Sequence, residues 1–193
     1  MVFFRVFGFF FLPINSIFTS LFYICSLGSI IFGALGALYS NNLKYFIAFT
    51  SLNNLGFLFM GFSTNNFFSY YYSFIFFIVY FFNFLIFFIF IIFIKNYDRF
   101  SSNIKNENLY FFKFNSLLKY YKNSLISIFL TISFFSVSGL PPFAGFVVKL
   151  KLLNEVWFYG NYFMVFFSLI TTFISIFYYF RLVKFLTEKE NAF

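Results

Sequence analysis

Long apolar runs separated by short polar connections make up most of this chain. A helix needs about 20 mostly apolar residues to cross a bilayer, and most of the runs approach or exceed that length. The pattern therefore predicts an all-α integral membrane protein with about six transmembrane helices in one domain, the first helix being incomplete. The runs are residues 2–12, 17–40, 45–62, 69–94, 123–158 and 161–183.

The run at 123–158 is too long for a single crossing. A straight helix of that length would measure about 54 Å, whereas the hydrocarbon core is about 30 Å thick. Pro141 and Pro142 interrupt the run, and proline lacks an amide hydrogen and disfavours helix at the residue before it. We therefore predict a broken helix, with the break at 139–145 and Gly145 at its end. Broken helices at membrane depth recur at ion sites in transporters.

Apart from Arg5, Lys149 and Lys151, the lysines and arginines are confined to alternate connections between the runs. The positive-inside rule places this basic set on the cytoplasmic or matrix side. The polar segment 95–122 is accordingly predicted to be a matrix-side loop, whose charge suits anionic headgroups or a neighbouring subunit. The basic set is Lys44, Lys95, Arg99, Lys105, Lys113, Lys119, Lys122, Arg181, Lys184 and Lys189.

Composition supports a membrane protein and excludes several other classes. Only 9% of the 193 residues are charged, compared with about 25% in soluble domains. The absence of histidine and the presence of one cysteine exclude a disulfide framework and a Cys/His metal cluster. Phe, Tyr, Ile, Asn and Lys, whose codons begin with two A or U bases, are abundant, which is typical of the A+T-rich genes of organelles.

Lys149 is the main candidate for chemistry. It follows the predicted break, and it points about 200° away from Lys151 around a helix, so it has no local partner. Lys151 and Glu155, by contrast, are spaced to share one helix face. An unpaired ammonium near mid-membrane is costly and tends to mark a proton or ion path. The alternative is that Lys149 extends to a nearby interface.

Other polar or small residues in the apolar runs admit two interpretations each. Thr50, Ser51, Asn53 and Asn54 either line a hydrated path or form hydrogen bonds between helices. Arg5 lies in a run short enough for its side chain to reach an interface, which favours a structural role. The small residues at 28–37 predict close packing of two helices.

Three segments together resemble one family, the NADH dehydrogenase subunit 2 family, an antiporter-like membrane subunit of respiratory complex I. "SGLPPFAGFVVK" (138–149) resembles its broken-helix motif, and "FGALGALYSNNLKYFIAFTSLNNLGFLFMG" (32–61) resembles its paired-helix motif. "FYYFRLVKFL" (177–186) is similar to the end of its next-to-last helix. The order and spacing of the three segments also fit, and together they span residues 32–186, which is most of the chain.

The resemblance implies a proton-translocating subunit in which Lys149 is the protonatable lysine of the broken helix. It also implies that NADH, FMN, iron–sulfur clusters and ubiquinone bind to other subunits and that this chain itself holds no cofactor. Other membrane-arm subunits and lipids are the expected partners, and the mitochondrial inner membrane is the expected location. The supporting site residues are Lys44, Thr50, Ser51, Asn54, Pro141, Pro142 and Gly145.

This chain departs from the family in two ways. The family has a longer first part that carries a buried glutamate and two further lysines, so the chain resembles the C-terminal portion and is expected to need a separate companion chain. Asn54 stands where the family commonly has histidine, which weakens a proton-carrying role for that helix. Two alternatives are therefore a structural membrane-arm scaffold without pumping and a stand-alone cation/proton antiporter subunit. Lys149 and the organelle-like composition count against the antiporter.

Overall fold

The structure is a computed structural model that describes residues 15–40, 42–64, 66–101, 124–141 and 143–187. These residues form six helices: α1 (Asn15–Tyr39), α2 (Leu43–Ser63), α3 (Phe67–Ser101), α4 (Ser124–Ser138), α5 (Ala144–Phe158) and α6 (Tyr162–Thr187). Within them, α1, α2, α3 and α6 are long and apolar enough to cross a membrane, and α4 holds a shorter apolar helix. The predicted all-α membrane fold is confirmed.

The predicted break of the 123–158 run is also confirmed, since α4 ends at Ser138 and α5 begins at Ala144. Helix α3, by contrast, is longer than predicted and continues to Ser101, inside the segment expected to be a loop. Its sequence contains neither glycine nor proline, so it lacks the residues that usually end a helix. Three predicted parts of the chain lie outside the described residues. They are the run at 2–12 with Arg5, the predicted loop from residue 102 onward, and the charged tail from residue 188.

Helices α1 and α2 pack as a close antiparallel hairpin. A side chain at Gly33 would collide with the backbone of Asn53, and one at Gly56 would collide with Ser29 and Ile30. The small residues thus let the two backbones approach, as predicted for 28–37. The hairpin fixes the depth at which the polar residues of α2 lie.

Two apolar cores lie at different depths, with polar side chains between them. Along α2, Phe46 belongs to one core, Asn53 follows, and Phe57 belongs to the other. The inner core, nearer the basic ends of the helices, comprises Ala37, Phe46, Phe87, Leu130, Phe134, Val137, Tyr178, Tyr179 and Leu182. The outer core comprises Ile30, Phe57, Leu58, Met60, Phe76, Leu152, Leu153, Val156, Met164 and Val165.

Buried polar side chains at intermediate depth separate these cores. These polar side chains come from several helices, and the break between α4 and α5 lies at the same depth in the bundle. We call the following residues the mid-layer: Thr50, Asn53, Asn54, Asn83, Ser136, Ser138, Lys149 and Ser175.

Candidate functional site

The break between α4 and α5 begins with an ordered helix end. Gly139 has a φ of 82°, a left-handed conformation that glycine adopts without steric cost. Its N–H donates to the Ser136 carbonyl at 3.3 Å, and the N–H of Leu140 donates to the Phe135 carbonyl at 3.2 Å. This pair of bonds is a Schellman motif. It ends α4 in a defined geometry at the depth of the mid-layer.

The two prolines that follow leave carbonyl groups of α4 without their usual partners. In an uninterrupted helix, the residue at position 141 would donate its N–H to the carbonyl of Val137, and the residue at 142 to that of Ser138. Proline has no N–H to donate. Side chains approach these two carbonyl groups in place of the missing N–H groups. Lys149 Nζ donates to Val137 O at 2.7 Å. Ser175 Oγ, on α6, donates to Thr172 O of its own helix at 2.6 Å and also lies 3.3 Å from Ser138 O. The break therefore creates the binding partner of the lysine.

Lys149 is enclosed by protein, with 4% of its surface exposed. Its stem passes Gly139, where a Cβ would come within 3.2 Å of Lys149 Cδ. Its Nζ lies 5.1 Å from the ring centroid of Phe57, within cation–π range. The side chain thus points into the bundle and does not extend to an interface. The carbonyl end of a helix carries partial negative charge, so the end of α4 suits a cation.

Gly145 lets the start of α5 touch the end of α4. It is buried, and a Cβ at this position would overlap the carbonyl oxygen of Ser136. A larger residue would push α5 away from α4 and displace Lys149 with it. Pro141 is exposed at the break, and Pro142 lies outside the described residues.

A row of hydroxyl and amide groups extends from the break toward the basic side. Ser175 lies beside Tyr178, whose hydroxyl is 3.5 Å from Asn53 Nδ2. Thr50, earlier on α2, donates to Ile47 O at 3.0 Å and lies beside Tyr179. Asn53 Oδ1 is buried and has no hydrogen-bond partner among the described residues. Because buried acceptors are normally satisfied, this atom suits an ordered water or a group from another chain.

The other predicted residues of α2 have different surroundings. Ser51 is half-buried and donates to Ala48 O at 2.7 Å, and its hydroxyl also contacts Tyr80. Asn54 is buried beside Asn53. Lys44 is exposed at the start of α2. The structure therefore brings Thr50 and Asn53 into the row, and leaves Lys44 at the basic end of the helix.

Sequence reasoning missed several members of the site. Asn83 of α3 donates to Ser136 Oγ at 3.2 Å and to Val79 O at 3.0 Å, which joins α3 to the end of α4. The only signal for it was one asparagine inside the aromatic run 69–94. Ser175 and Tyr178 carried no signal, because serine and tyrosine are unremarkable in a membrane helix.

Lys151 and Glu155 interact with the start of α3. Lys151 Nζ lies 5.7 Å from the ring centroid of Tyr72. Glu155 Oε2 accepts a hydrogen bond from Asn66 Nδ2 at 3.5 Å. Both side chains are beyond Lys149 on α5, on the side of the bundle away from the basic residues.

Comparison with known proteins gives a consistent result. The profile of the family described as "NADH:quinone oxidoreductase/Mrp antiporter, TM" matches residues 1–175. NADH-quinone oxidoreductase subunit N of Pelagibacter ubique is 30% identical, over 86% of this chain and 34% of that protein. NADH-ubiquinone oxidoreductase chain 2 of Marchantia polymorpha is 30% identical, over 85% of this chain and 31% of that protein. The chain thus spans about a third of the length of these curated relatives.

A solved structure shares the fold. A chain of respiratory complex I from Thermus thermophilus with bound aureothin superimposes with a TM-score of 0.68 and 22% identity, over 89% of this chain and 37% of that chain. The resemblance to the subunit 2 family is confirmed by the matched relatives. On the match over residues 1–175, this chain belongs to the NADH:quinone oxidoreductase/Mrp antiporter transmembrane family.

Proposed function

We propose that this chain is part of a proton-translocating, antiporter-like subunit in the membrane arm of an NADH:quinone oxidoreductase, complex I. Lys149 is the residue that takes up and gives off protons. The chain takes no part in electron transfer, and NADH, FMN, iron–sulfur clusters and ubiquinone bind to other subunits. The A+T-rich coding bias supports an organelle gene and therefore the mitochondrial inner membrane.

The observation that carries this proposal is the contact between Lys149 Nζ and Val137 O at 2.7 Å in the interior of the bundle. An ionisable residue at membrane depth marks a proton or ion path by default. A lysine held by a single carbonyl retains other donors, so it can exchange a proton with water without leaving its position. The helix break supplies that carbonyl, which links the unusual backbone to the unusual side chain.

The row of polar groups supports uptake from the basic side. Ser175, Tyr178 and Asn53 lead from the break toward the inner core, and Thr50 with Tyr179 continues in that direction. Hydroxyl groups both donate and accept hydrogen bonds, so a proton can pass along them together with water. The aromatic inner core restricts the row to a narrow path.

The relay needs more ionisable groups than the mid-layer provides. Among the mid-layer residues defined above, Lys149 is the one with an ionisable side chain. We therefore propose that other subunits of complex I, in particular a companion chain, supply the remaining ionisable groups. The same subunits would surround the exposed faces of α1 and α3. This same observation favours a second candidate function, a scaffold that keeps the shape of the family without its pumping.

Replacement of Lys149 by Ala in the assembled complex separates the two functions. Sealed membrane vesicles allow NADH oxidation and proton uptake to be followed together, the latter with a pH-sensitive dye. For a relay, we expect fewer protons to be pumped per NADH oxidised, with the complex still assembled. An unchanged ratio would leave the scaffold as the function. A density map of the same complex around Lys149 identifies the companion chain and any titratable group it brings.

A further inference from the structure

We infer that Glu155 is the group that releases protons on the side opposite the basic residues, receiving them from Lys149 across the outer core. This inference rests on the proposed function and adds the second half of the proton path to it. In the transfer, an N–H proton of the Lys149 ammonium passes through water to a carboxylate oxygen of Glu155. Lys149 becomes a neutral amine and Glu155 a neutral acid, which then gives the proton to the aqueous phase.

Glu155 is set apart from the other acidic residues by its place in the sequence. Asp98 and Glu107 stand among the lysines and arginines of the 95–122 region, and Glu188 and Glu190 belong to the basic C-terminal segment. Glu155 alone precedes a connection without lysine or arginine. A proton that crosses from the basic side therefore meets, within this chain, one carboxylate on its way out.

The surroundings of Glu155 form a second polar group, separate from the mid-layer. The carboxylate is half-buried and accepts from Asn66, just before α3. Ser63 and Thr64 at the end of α2 are buried, and their hydroxyls donate to Met60 O and Gly61 O. Ser69, also buried, lies one turn after Asn66. We call Glu155, Asn66, Ser63, Thr64 and Ser69 the outer polar cluster. It lies at the end of the bundle where α2 joins α3.

An unpartnered hydroxyl indicates that this cluster has a further ligand. Ser69 is fully buried, and its Oγ has no hydrogen-bond partner among the described residues. In the sequence it lies between Asn66, just before α3, and Tyr72 on α3. Asn66 contacts Glu155 of α5, and Tyr72 contacts Lys151 of α5. A buried hydroxyl without a partner is costly, and a bound water would satisfy it.

A dry barrier separates Glu155 from Lys149. Between the two residues on α5, Leu152 and Leu153 are buried and belong to the outer core, which also contains Met60 and Met164. The two ionisable residues are six positions apart, or about 9 Å along the axis, which is too far for a direct proton transfer. Proton transfer from Lys149 to Glu155 therefore requires water to enter the outer core. When the core holds no water, the apolar barrier prevents protons from returning to Lys149.

The test compares two variants in the assembled complex in sealed vesicles. Glu155→Gln keeps the shape of the side chain and its contact with Asn66 but cannot carry a proton. We expect it to slow proton transfer through this chain by about 100-fold or more, the usual loss when a positioned proton-transfer group is removed. Asn154→Gln is the matched control, because it places the same amide on the exposed neighbouring position, and we expect it to pump normally.

Lys149→Ala, measured in parallel, distinguishes this inference from the proposed function. Loss of pumping in Lys149→Ala with normal pumping in Glu155→Gln would overturn the role of Glu155 and leave that of Lys149 intact. Normal pumping in both would overturn both. Loss in both, with Asn154→Gln normal and with partial recovery in Glu155→Asp, is the expected result.

A measurement on the unmodified complex covers the case in which Glu155→Gln fails to assemble. A carbodiimide, which modifies protonated carboxyl groups, is added from the side opposite the basic residues, and the extent of reaction at Glu155 is read by mass spectrometry. We expect the loss of pumping to follow the fraction of Glu155 modified. Pumping that persists with Glu155 fully modified, or a Glu155 that the reagent does not reach, would overturn the inference.

Discussion

Replacement of Lys149 by Met tests whether this lysine serves function or stability. Methionine has similar length and is unbranched, so it fills the space between Gly139 and Phe57 without a charge. The change removes the hydrogen bond from Nζ to Val137 O. Because Pro141 offers no N–H, that carbonyl is left without its donor.

Two opposing contributions set the expected change in stability. A buried carbonyl that loses its partner costs about 1 to 3 kcal/mol. Removing a charged side chain from the membrane interior relieves about 2.5 to 3.5 kcal/mol. The net effect therefore lies between a loss of about 0.5 and a gain of about 2.5 kcal/mol. We expect Lys149→Met to be as stable as the wild type or more stable, and to lose pumping.

The assay measures both properties on one preparation. Thermal loss of the assembled complex in detergent reports stability, and proton uptake per NADH in sealed vesicles reports pumping. Asn154→Met is the control, since it introduces the same residue at an exposed position of the same helix. A Lys149→Met complex that falls apart at markedly lower temperature would refute the reasoning, because Lys149 would then be a structural residue. Normal pumping would refute it as well.

Three further substitutions test the geometry of the break. Gly145→Ala should destabilise the assembled complex by about 1 to 3 kcal/mol, the usual cost of overpacking, and should reduce pumping. Gly28→Ala is the control, because Gly28 has open space around it. We expect it to change neither stability nor pumping in the same thermal and pumping assays. Ser175→Ala should cost about 1 kcal/mol in thermal stability, more than Ser168→Ala. Both hydroxyls are buried and bond to a carbonyl of α6, but that of Ser175 also approaches Ser138 O of α4 at 3.3 Å. Pro141→Ala restores an N–H that competes for the carbonyl bound by the lysine, so it should lower proton uptake per NADH while the complex stays assembled; unchanged pumping would show that the competition does not occur.

The break and its depth could be predicted from the sequence because their causes are local. Proline lacks an amide hydrogen wherever it stands, and glycine tolerates a left-handed φ wherever the chain needs one. Gly139 and Pro141 therefore fix the end of α4 without reference to the rest of the fold. The apolar runs are equally local. The length of α3 was underestimated by more than that of α6, because charged residues near Lys95 do not by themselves end a helix.

The partners of the site could not be predicted, because they depend on how separate helices pack. Lys149 follows the break by a few residues, yet its nitrogen returns to a carbonyl twelve positions earlier in the sequence. Asn83 reaches Ser136 across 53 positions, and Asn53 reaches Tyr178 across 125. No periodicity encodes these contacts, so the sequence left the alternatives for Lys149 and for the polar residues of α2 open.

The geometry of the break also accounts for a lysine at this position in preference to an acidic residue. The group that faces position 149 is a carbonyl oxygen at the C-terminal end of α4, where the helix dipole is negative. An ammonium donates to this oxygen and is attracted by the dipole, whether or not a second ionisable group is near. A carboxylate would meet a partial charge of its own sign and could form a hydrogen bond only when protonated. The double proline therefore determines both where the helix breaks and which sign of charge can be held there.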